Sequence, residues 1–314
     1  MKYNSRGFTT YSLQAEGARE RRSIIATVGG IIVDHQQNVF AAGNGYINGK
    51  ESYFIAKFDS SKKLQWINSY KLNYFYDGNG QFLFSDKGNN VYLMNRINND
   101  KAYHLTKYNS KGTIQWTVEE AFRKKGKLTD AAIDSLGNIY VTGLDGNNYR
   151  IEKFNNKGSK EWLTYFNEKS LDDMLPMLKL DASGDLYLAG TSTQKLGEEE
   201  NYDYIMMKFK SSGDREWVVR YNGISDSTDI ATAMAVDDSG SVYITGKSWI
   251  DKSFDIVTIG YDTKGTIIFI KKYDSKYHDA AVNMTLDKKD NIFILGESYG
   301  SDWRIFTTLK YSKQ

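Results

Sequence analysis

The stretch "DSLGNIYVTG", Asp134–Gly143, joins the residues of a tight turn to an alternating run typical of a β-strand. Similar stretches recur as "DASGDLYLAG" from Asp181, "DDSGSVYITG" from Asp237 and "DKKDNIFILG" from Asp287. Self-similarity at a regular spacing indicates a repeat architecture. Aspartates open such turns at six places: Asp34, Asp86, Asp134, Asp181, Asp237 and Asp287.

Each repeat carries further landmarks at fixed distances from its turn Asp. An aromatic residue follows after six positions, and a Gly follows after nine, except at Asn95. Later comes an aromatic residue usually preceded by Lys, and eight positions beyond it a Trp, replaced by Phe269 in the fifth repeat. We read four strands per repeat: strand A before the turn, B after it, C up to the Lys–aromatic pair, and D with the Trp.

Repeats of about 50 residues with four strands each are typical of β-propeller blades, whereas those of a parallel β-helix, the competing architecture, are shorter. The segment "KYNSRGFTTY", Lys2–Tyr11, matches "KYNSKGTIQW", Lys107–Trp116, so the chain begins with the last strand of a repeat. We therefore predict an all-β, six-bladed β-propeller of four-stranded antiparallel blades, one domain over residues 1–314. Blade 6 would consist of about residues 279–314 plus 2–13, so that the N-terminal strand closes the ring.

The repeats resemble the bacterial β-propeller repeat family called SBBP. The most similar stretch is "RYNGISDSTDIATAMAVDDSGSVYITG", Arg220–Gly246, followed by "FDIVTIGYDTKG". The resemblance covers nearly the whole chain and departs at Asn95 and Gly260, where the usual Gly and Lys are absent. It implies the fold and a secreted, periplasmic or cell-surface location. We expect that a native signal segment is absent from this chain, because its start lacks an apolar region.

Composition restricts the kinds of site that the chain can form. There is no Cys, which excludes disulfides, thiolate zinc sites and cysteine nucleophiles. The net charge of +2 gives no general attraction to nucleic acid, and no apolar run approaches the ~18–20 residues that span a bilayer. We therefore predict no cofactor, no metal ion, no nucleic-acid partner and no membrane span, and we expect a monomer.

The repeated Asp is expected to be structural. An Asp at the first position of a tight turn accepts hydrogen bonds from backbone N–H groups further along the turn. A catalytic or binding function requires one site, whereas this Asp occurs in six equivalent copies. Functional residues are therefore expected among those that break the repeat, on the variable face formed by the B–C and D–A loops.

Residues that break the repeat suggest a ligand site on that face. An Asp stands eight positions before the turn Asp in three consecutive repeats, where it either contacts a ligand or caps a local turn. Beside one of them lies a His, whose protonated form an adjacent carboxylate favours. Aromatic rings beside carboxylates suit a neutral sugar or a basic partner better than an anionic polymer. We predict a ligand site formed by Asp229, Asp279, His278 and Trp249, with Asp173 and Tyr299 at its rim.

Strand A is expected to line the central channel of the propeller. On this prediction Phe82 and Phe84 fill part of the channel. Lys179 and Asp130, from neighbouring blades, are expected to form an ion pair there.

Catalytic motifs are missing from the chain. It contains no G-x-S-x-G, H-E-x-x-H or P-loop pattern. We therefore interpret the chain as a non-catalytic binding or scaffold propeller that recognises a surface glycan or a protein partner through its variable face, and the sequence weighs against an enzyme. The alternative is a glycan-active hydrolase or lyase that uses carboxylates of blades 4–6.

Overall fold

The computed structural model of the protein describes residues 11–13, 24–47, 50–71, 81–97, 101–124, 126–146, 148–166, 177–196, 199–223 and 227–312. These residues form β-strands joined by turns and contain no helix, so the described part of the chain is all-β, as predicted. No helix long and apolar enough to cross a membrane occurs in these ranges.

The chain forms two compact units, the first made of residues 1–139, 144–146 and 154–161 and the second of 140–143, 147–153 and 162–314. The first unit contains a sheet of order β1-β2-β3-β4-β5: β1 (Tyr11–Leu13), β2 (Ile24–Val33), β3 (Val39–Ile47), β4 (Lys50–Phe58) and β5 (Leu64–Lys71). It also contains a sheet of order β6-β7-β8-β9: β6 (Gln81–Ser85), β7 (Val91–Ile97), β8 (Ala102–Tyr108) and β9 (Ile114–Ala121).

A third sheet has the order β10-β11-β12-β13: β10 (Gly126–Ile133), β11 (Ile139–Asp145), β12 (Asn148–Phe154) and β13 (Lys160–Phe166). The second unit contains β14-β15-β16-β17: β14 (Met177–Leu180), β15 (Leu186–Leu196), β16 (Glu199–Phe209) and β17 (Arg215–Tyr221). It also contains β18-β19-β20-β21: β18 (Asp229–Val236), β19 (Val242–Ile250), β20 (Ser253–Tyr261) and β21 (Ile267–Tyr273). The last sheet is β22-β23-β24: β22 (His278–Leu286), β23 (Ile292–Tyr299) and β24 (Arg304–Tyr311).

The turn aspartates have the structural role predicted for them. Asp237 Oδ1 accepts the backbone N–H groups of Ser239 at 2.9 Å and Ser241 at 2.8 Å, and Oδ2 accepts the Tyr243 hydroxyl at 2.9 Å. Gly240 closes the turn at φ 81°, a backbone conformation that favours glycine. Carboxylate-to-backbone bonds of the same kind recur at Asp34, Asp86, Asp134, Asp181 and Asp287.

The repeated Trp joins each sheet to the next. Trp162 Nε1 donates to the Ser211 carbonyl at 3.1 Å, and its ring lies against Gly213, which has φ 94°. A side chain on Gly213 would have to push this ring away, because a Cβ there would lie 3.1 Å from it. We call these the inter-repeat Trp bonds, and they are formed in the same way by Trp66, Trp116, Trp162 and Trp217.

The Lys of the Lys–aromatic pair packs on the aromatic ring of strand B. Lys153 Nζ lies 5.5 Å from the centre of the Tyr140 ring, a distance at which cation and ring attract each other. The same contact is made by Lys57 with Phe40, Lys107 with Tyr92, Lys208 with Tyr187 and Lys310 with Phe293.

In the fifth repeat two substitutions occur together, Gly260 for Lys and Phe269 for Trp. A Cβ on Gly260 would lie 2.6 Å from a carbon of the Phe269 ring. That ring stacks instead on Tyr243, with 5.9 Å between centres and 21° between planes. The missing Lys side chain therefore leaves the space that the Phe ring occupies.

The N-terminal strand corrects one prediction. β1 pairs with β2, with Tyr11 opposite Ala26, and not with the last strand. This local pairing closes a much shorter loop than a pairing with the far end of the chain, so its entropic cost is lower. Residues 1–10 of the predicted closing segment lie outside the described residues. On β24, whose described neighbour is β23, Ile305 and Phe306 are 59% and 76% exposed.

The residues predicted to line a channel lie on the first strands of their sheets. Phe82 and Phe84 are half-buried on β6, and Phe84 stacks on Tyr92 at 5.3 Å. Lys179 is exposed on β14, and Asp130 on β10 accepts the N–H of Ala131. The channel and the Lys179–Asp130 ion pair stay predictions.

Candidate functional site

The candidate site is an aromatic cluster in the second unit, formed by Trp249, Phe254, His278 and Tyr299. The His278 ring stacks on Trp249, with 5.8 Å between ring centres, and on Tyr299, with 5.5 Å; the angle between planes is 29° in both pairs. Phe254 meets Trp249 edge-on at 4.9 Å and lies 6.0 Å from His278. Three of the predicted site residues are therefore joined, because His278 contacts both Trp249 and Tyr299.

Strand register explains why these rings meet. Trp249 on β19 lies directly opposite Phe254 on β20, next to the hairpin between Ile250 and Ser253. His278, the first residue of β22, lies directly opposite Tyr299, the last residue of β23. Residues facing each other across two strands are close enough for their side chains to touch. The Phe254 N–H then joins the two sheets by donating to His278 Nδ1 at 3.2 Å.

Two cations border the aromatic cluster, and the sequence analysis did not identify either. Lys247 Nζ lies 4.4 Å from the centre of the Phe254 ring, and the Arg304 guanidinium lies 5.7 Å from that of Tyr299. One Arg304 nitrogen is 3.4 Å from Glu297. Both cations stand at positions where the repeats vary, and only the register of the neighbouring strands brings them to the rings.

Three polar atoms of the aromatic cluster are open to a ligand. The indole nitrogen of Trp249, Nε2 of His278 and the Tyr299 hydroxyl make no hydrogen bond to the part of the chain that is described, and they are not buried. His278 Nδ1 accepts the Phe254 N–H, so in the neutral imidazole Nε2 carries the proton. The aromatic cluster therefore presents three polar groups to solvent.

Asp229, predicted as a ligand contact, is fully buried beneath this region. It accepts the Gly223 N–H at 2.5 Å and lies opposite Ser248, so it caps the loop before β18. Burial raises the pKa of Asp229 to about 6, against the lowering effect of the Ser248 hydroxyl and the Gly223 N–H. Although Ser248 lies close by, neither its Oγ nor Asp229 Oδ1 has a hydrogen-bond partner of good geometry among the described residues.

Asp279 is also fully buried, with more partners. Its carboxylate accepts the Ser275 N–H at 2.7 Å, the Ser275 hydroxyl at 2.8 Å and the Ser298 hydroxyl. In the third sheet a carboxylate on strand B also binds the N–H groups of a loop. Asp145 accepts those of Arg123 and Lys124 at 3.0 and 2.8 Å. These contacts agree with the alternative considered above, that the acids cap local turns.

A group of three acids near the aromatic cluster is already neutralised in part. The carboxylate oxygens of Asp255, Asp274 and Asp279 lie within 4.8 Å of one another. The Lys272 ammonium is 2.8 Å from Asp255 and 3.5 Å from Asp274, and it opposes the rise that burial causes in the pKa of Asp255. Lys272 supplies the positive charge that these acids require, so we assign no metal site to them.

The structure thus brings Trp249, His278 and Tyr299 together and buries Asp229 and Asp279. Asp173 lies outside the described residues. A signal for the burial of the acids is present in the sequence: the repeats with the early Asp also carry Ser eleven positions after the turn Asp, at Ser192, Ser248 and Ser298. For the last two, these Ser lie directly opposite the acids.

Comparison with solved structures identifies chains of similar fold. A protein from Lactobacillus plantarum is 12% identical, with a TM-score of 0.59, covering 96% of this chain and 94% of that one. An ulvan lyase, a polysaccharide lyase bound to a GlcA(1-4)Rha3S sugar, is 11% identical, with a TM-score of 0.56 and coverage of 96% and 81%. The periplasmic gluconolactonase of Pseudomonas aeruginosa is 10% identical, with a TM-score of 0.56 and coverage of 96% and 95%.

These comparisons correct the interpretation of the chain as a non-catalytic binding or scaffold propeller. Two of the three similar structures are enzymes, so the fold gives no ground for placing this chain on the non-catalytic side. At identities of 10–12% the likeness concerns the fold alone.

One region of the sequence matches the model of a known protein family, although no curated protein matches the chain. The family model of the SBBP beta-propeller repeat matches residues 216–252, a segment that contains β18, β19 and Trp249. The resemblance inferred from the repeats is thereby confirmed over residues 216–252, where this chain is similar to the SBBP beta-propeller repeat.

Proposed function

We propose that the protein is a glycan-active enzyme, a hydrolase or a lyase, whose site is the aromatic cluster. The observation that carries this proposal is the contact of His278 with Trp249 and Tyr299, with the Nε2–H group of the imidazole open to solvent. Aromatic rings provide the apolar surface against which a sugar packs. A His at that surface provides a side chain of the type that serves as general acid or base in many enzymes.

We assign the proton transfer to His278 with Tyr299 rather than to the carboxylates. Asp229 and Asp279 are fully buried and bound to loop N–H groups, so a sugar does not reach them without movement of those loops. In a hydrolase, His278 Nε2 would take a proton from water or give one to the leaving oxygen, and in a lyase it would take the proton lost beside a carboxylate and return it to the leaving oxygen. In either case Nδ1 carries its own proton during the transfer, so the Phe254 N–H bond to Nδ1 is released. The two aspartates hold the loops that carry the aromatic cluster.

The same proposal includes the finer features of the fold and its setting. One domain has six blades, one for each turn Asp, and the segment before Tyr11 supplies the fourth strand of the last blade. The exposed Ile305 and Phe306 support this, because an added strand would cover that edge. The protein acts as a monomer at the cell surface, in the periplasm or outside the cell, and binds no nucleic acid.

A panel of polysaccharides tests the proposed activity. Cleavage is followed by the appearance of reducing ends, and the ultraviolet absorbance of an unsaturated sugar distinguishes a lyase from a hydrolase. The variant His278→Gln keeps an acceptor for the Phe254 N–H but loses the titratable ring. We expect it to lower the cleavage rate about 10²–10⁴-fold, the usual contribution of a general acid or base.

His35 provides the matched control. It is an exposed His in the first turn, and His35→Gln makes the same chemical change outside the aromatic cluster. Its cleavage rate should equal that of the wild type. If no polysaccharide is cleaved, or if His278→Gln cleaves at the wild-type rate, the proposed function is wrong.

A further inference from the structure

The polar groups around the aromatic cluster are almost all hydrogen-bond donors. The Trp249 indole N–H donates only, and so do the Arg304 guanidinium and the Lys247 ammonium. His278 Nε2 donates whether the ring is neutral or protonated, because Nδ1 is held as the acceptor of the Phe254 N–H in the neutral form. Tyr299 is the one group among these five that both donates and accepts.

The nearby acids do not balance this set of donors. Asp279 accepts three hydrogen bonds and is fully buried, and Asp229 is fully buried as well. Asp255 is buried and paired with Lys272. Glu297 and Asp274 are the exceptions. Asp274 is 40% exposed but lies 3.5 Å from the Lys272 ammonium. Glu297 meets one Arg304 nitrogen at 3.4 Å, but a guanidinium has further N–H groups to offer.

We propose that the ligand of the aromatic cluster is an acidic glycan, a sugar chain bearing carboxylate or sulfate groups. This inference rests on the proposed function and names its substrate class. It replaces the sequence-based expectation of a neutral sugar or a basic partner, which assumed that Asp229 and Asp279 face the ligand. Carboxylate and sulfate oxygens accept hydrogen bonds only, and charge strengthens the bonds that they accept.

The positions of the cations fit an extended anionic chain. Lys247 lies over Phe254, and Arg304 lies over Tyr299, so positive charge is present beside two different rings of the aromatic cluster. His278 contacts both of these rings, at 6.0 Å and 5.5 Å. A sugar chain lying across the imidazole would therefore find a cation on either side. Hydroxyl groups of a neutral sugar would find few acceptors here and would keep their bonds to water.

Binding of matched glycans tests this proposal. The probes are a glucuronate-containing oligosaccharide, its carboxyl-reduced counterpart and a sulfated neutral oligosaccharide, each titrated by calorimetry into the wild-type protein. We expect at least one acidic probe to bind about tenfold or more tightly than the carboxyl-reduced one, as expected for hydrogen bonds to charged groups. Comparison of the glucuronate and sulfate probes identifies which anion is recognised.

Charge-neutralising variants locate the binding. Arg304→Gln and Lys247→Gln should each weaken binding of the acidic probe about tenfold and leave the carboxyl-reduced probe unaffected. The matched control is Lys288→Gln, which removes an exposed positive charge at the turn end of the last sheet. It should leave both affinities unchanged.

The outcomes separate this inference from the proposed function. Equal affinity for acidic and carboxyl-reduced probes, or binding of neither, overturns the acidic-glycan proposal. Cleavage of the carboxyl-reduced glycan alone overturns it too, while the proposed function survives. If the acidic probe binds through Arg304 and Lys247 but no glycan is cleaved, the ligand class is supported and the enzyme proposal fails.

Discussion

The two ends of the strands in the last two sheets are built differently. At the turn end, Asp237 binds backbone N–H groups as the other turn aspartates do. The Thr263 carbonyl there accepts a bond from Trp217 of the preceding sheet, as three other turns do from their Trp. At the hairpin end, the contacts of Trp249 with His278 and of His278 with Tyr299 have no counterpart at the same positions of the other repeats. Contacts that recur support the architecture, whereas contacts formed once are available for a specific function.

The strongest test of the repeated end removes an inter-repeat Trp bond. Trp162→Ala removes a partly buried ring and its bond to the Ser211 carbonyl, and we expect it to lower the free energy of unfolding by about 3 kcal/mol. Trp162→Phe keeps most of the ring and should cost about 1 kcal/mol. Denaturant titration measures both. A Trp162→Ala protein as stable as the wild type would show that these bonds do not hold the sheets together.

The acid behind the aromatic cluster has a different signature, in the pH dependence of stability. The pKa of Asp229 is raised from 3.8 to about 6, so between these pH values the folded protein binds more protons than the unfolded chain. Its contribution to stability is therefore complete at low pH and is lost as pH rises through about 6. Asp229→Asn should abolish this fall, which is on the order of 2–3 kcal/mol.

Thermal unfolding between pH 4 and 8 measures the effect, with Asp238→Asn as a control at an exposed neighbouring Asp. The control should keep the slope of the wild type. If Asp229→Asn keeps it as well, the Asp229 carboxyl is not the group that titrates.

The fifth repeat allows a test of whether the Lys of strand C and the Trp of strand D depend on each other. Gly260→Lys restores the usual residue but brings a Cβ against the Phe269 ring, so we expect a loss of about 1–3 kcal/mol. Adding Phe269→Trp should recover part of that loss, because Lys and Trp are the pair found in the other repeats. A double-mutant cycle on the free energy of unfolding measures this coupling. Additive effects would mean that the two substitutions arose without a shared packing reason.

The smallest expected effect concerns a single turn. Asp237→Ala removes acceptors for Ser239, Ser241 and Tyr243, and by analogy with lost side-chain caps it should cost about 1–2 kcal/mol. Glycan binding should not change, because the turn lies at the other end of β19 from Trp249. Loss of binding without loss of stability would contradict the separation of the two ends.

Sequence spacing alone predicts the repeated part of the molecule well. The turn Asp, the Lys–aromatic pair and the Trp all take part in the contacts that a structural role requires, because each contact is fixed by position within one repeat or between neighbours. The N-terminal strand is the exception. Its resemblance to Lys107–Trp116 is real in sequence, yet Tyr11–Leu13 pairs with β2, since a local strand competes for it.

The candidate site was only partly predictable. Trp249, His278 and Tyr299 were found because they interrupt the repeat, but their stacking depends on the register of two separate hairpins, which no single repeat encodes. Asp229 and Asp279 were predicted to contact a ligand because an Asp stands at their position in only three of the repeats. Their burial follows from the loops that fold over them and from Ser248 and Ser298 on the neighbouring strand. Lys247 and Arg304 carry no local signal at all.

The inter-repeat Trp bonds have a consequence for how such a chain changes its length over evolution. The second, third and fourth repeats each contribute a donor, such as Trp217, and a turn that accepts the bond from the preceding Trp, such as the Ser211 carbonyl that accepts from Trp162. A duplicated repeat therefore arrives with both partners and leaves no donor or acceptor unmatched at either junction. In a protein whose repeats contact mainly their neighbours, gene duplication can thus add or remove a unit at little cost in stability. The aromatic cluster differs, because its rings come from two neighbouring repeats. Duplication of either repeat alone would not reproduce it.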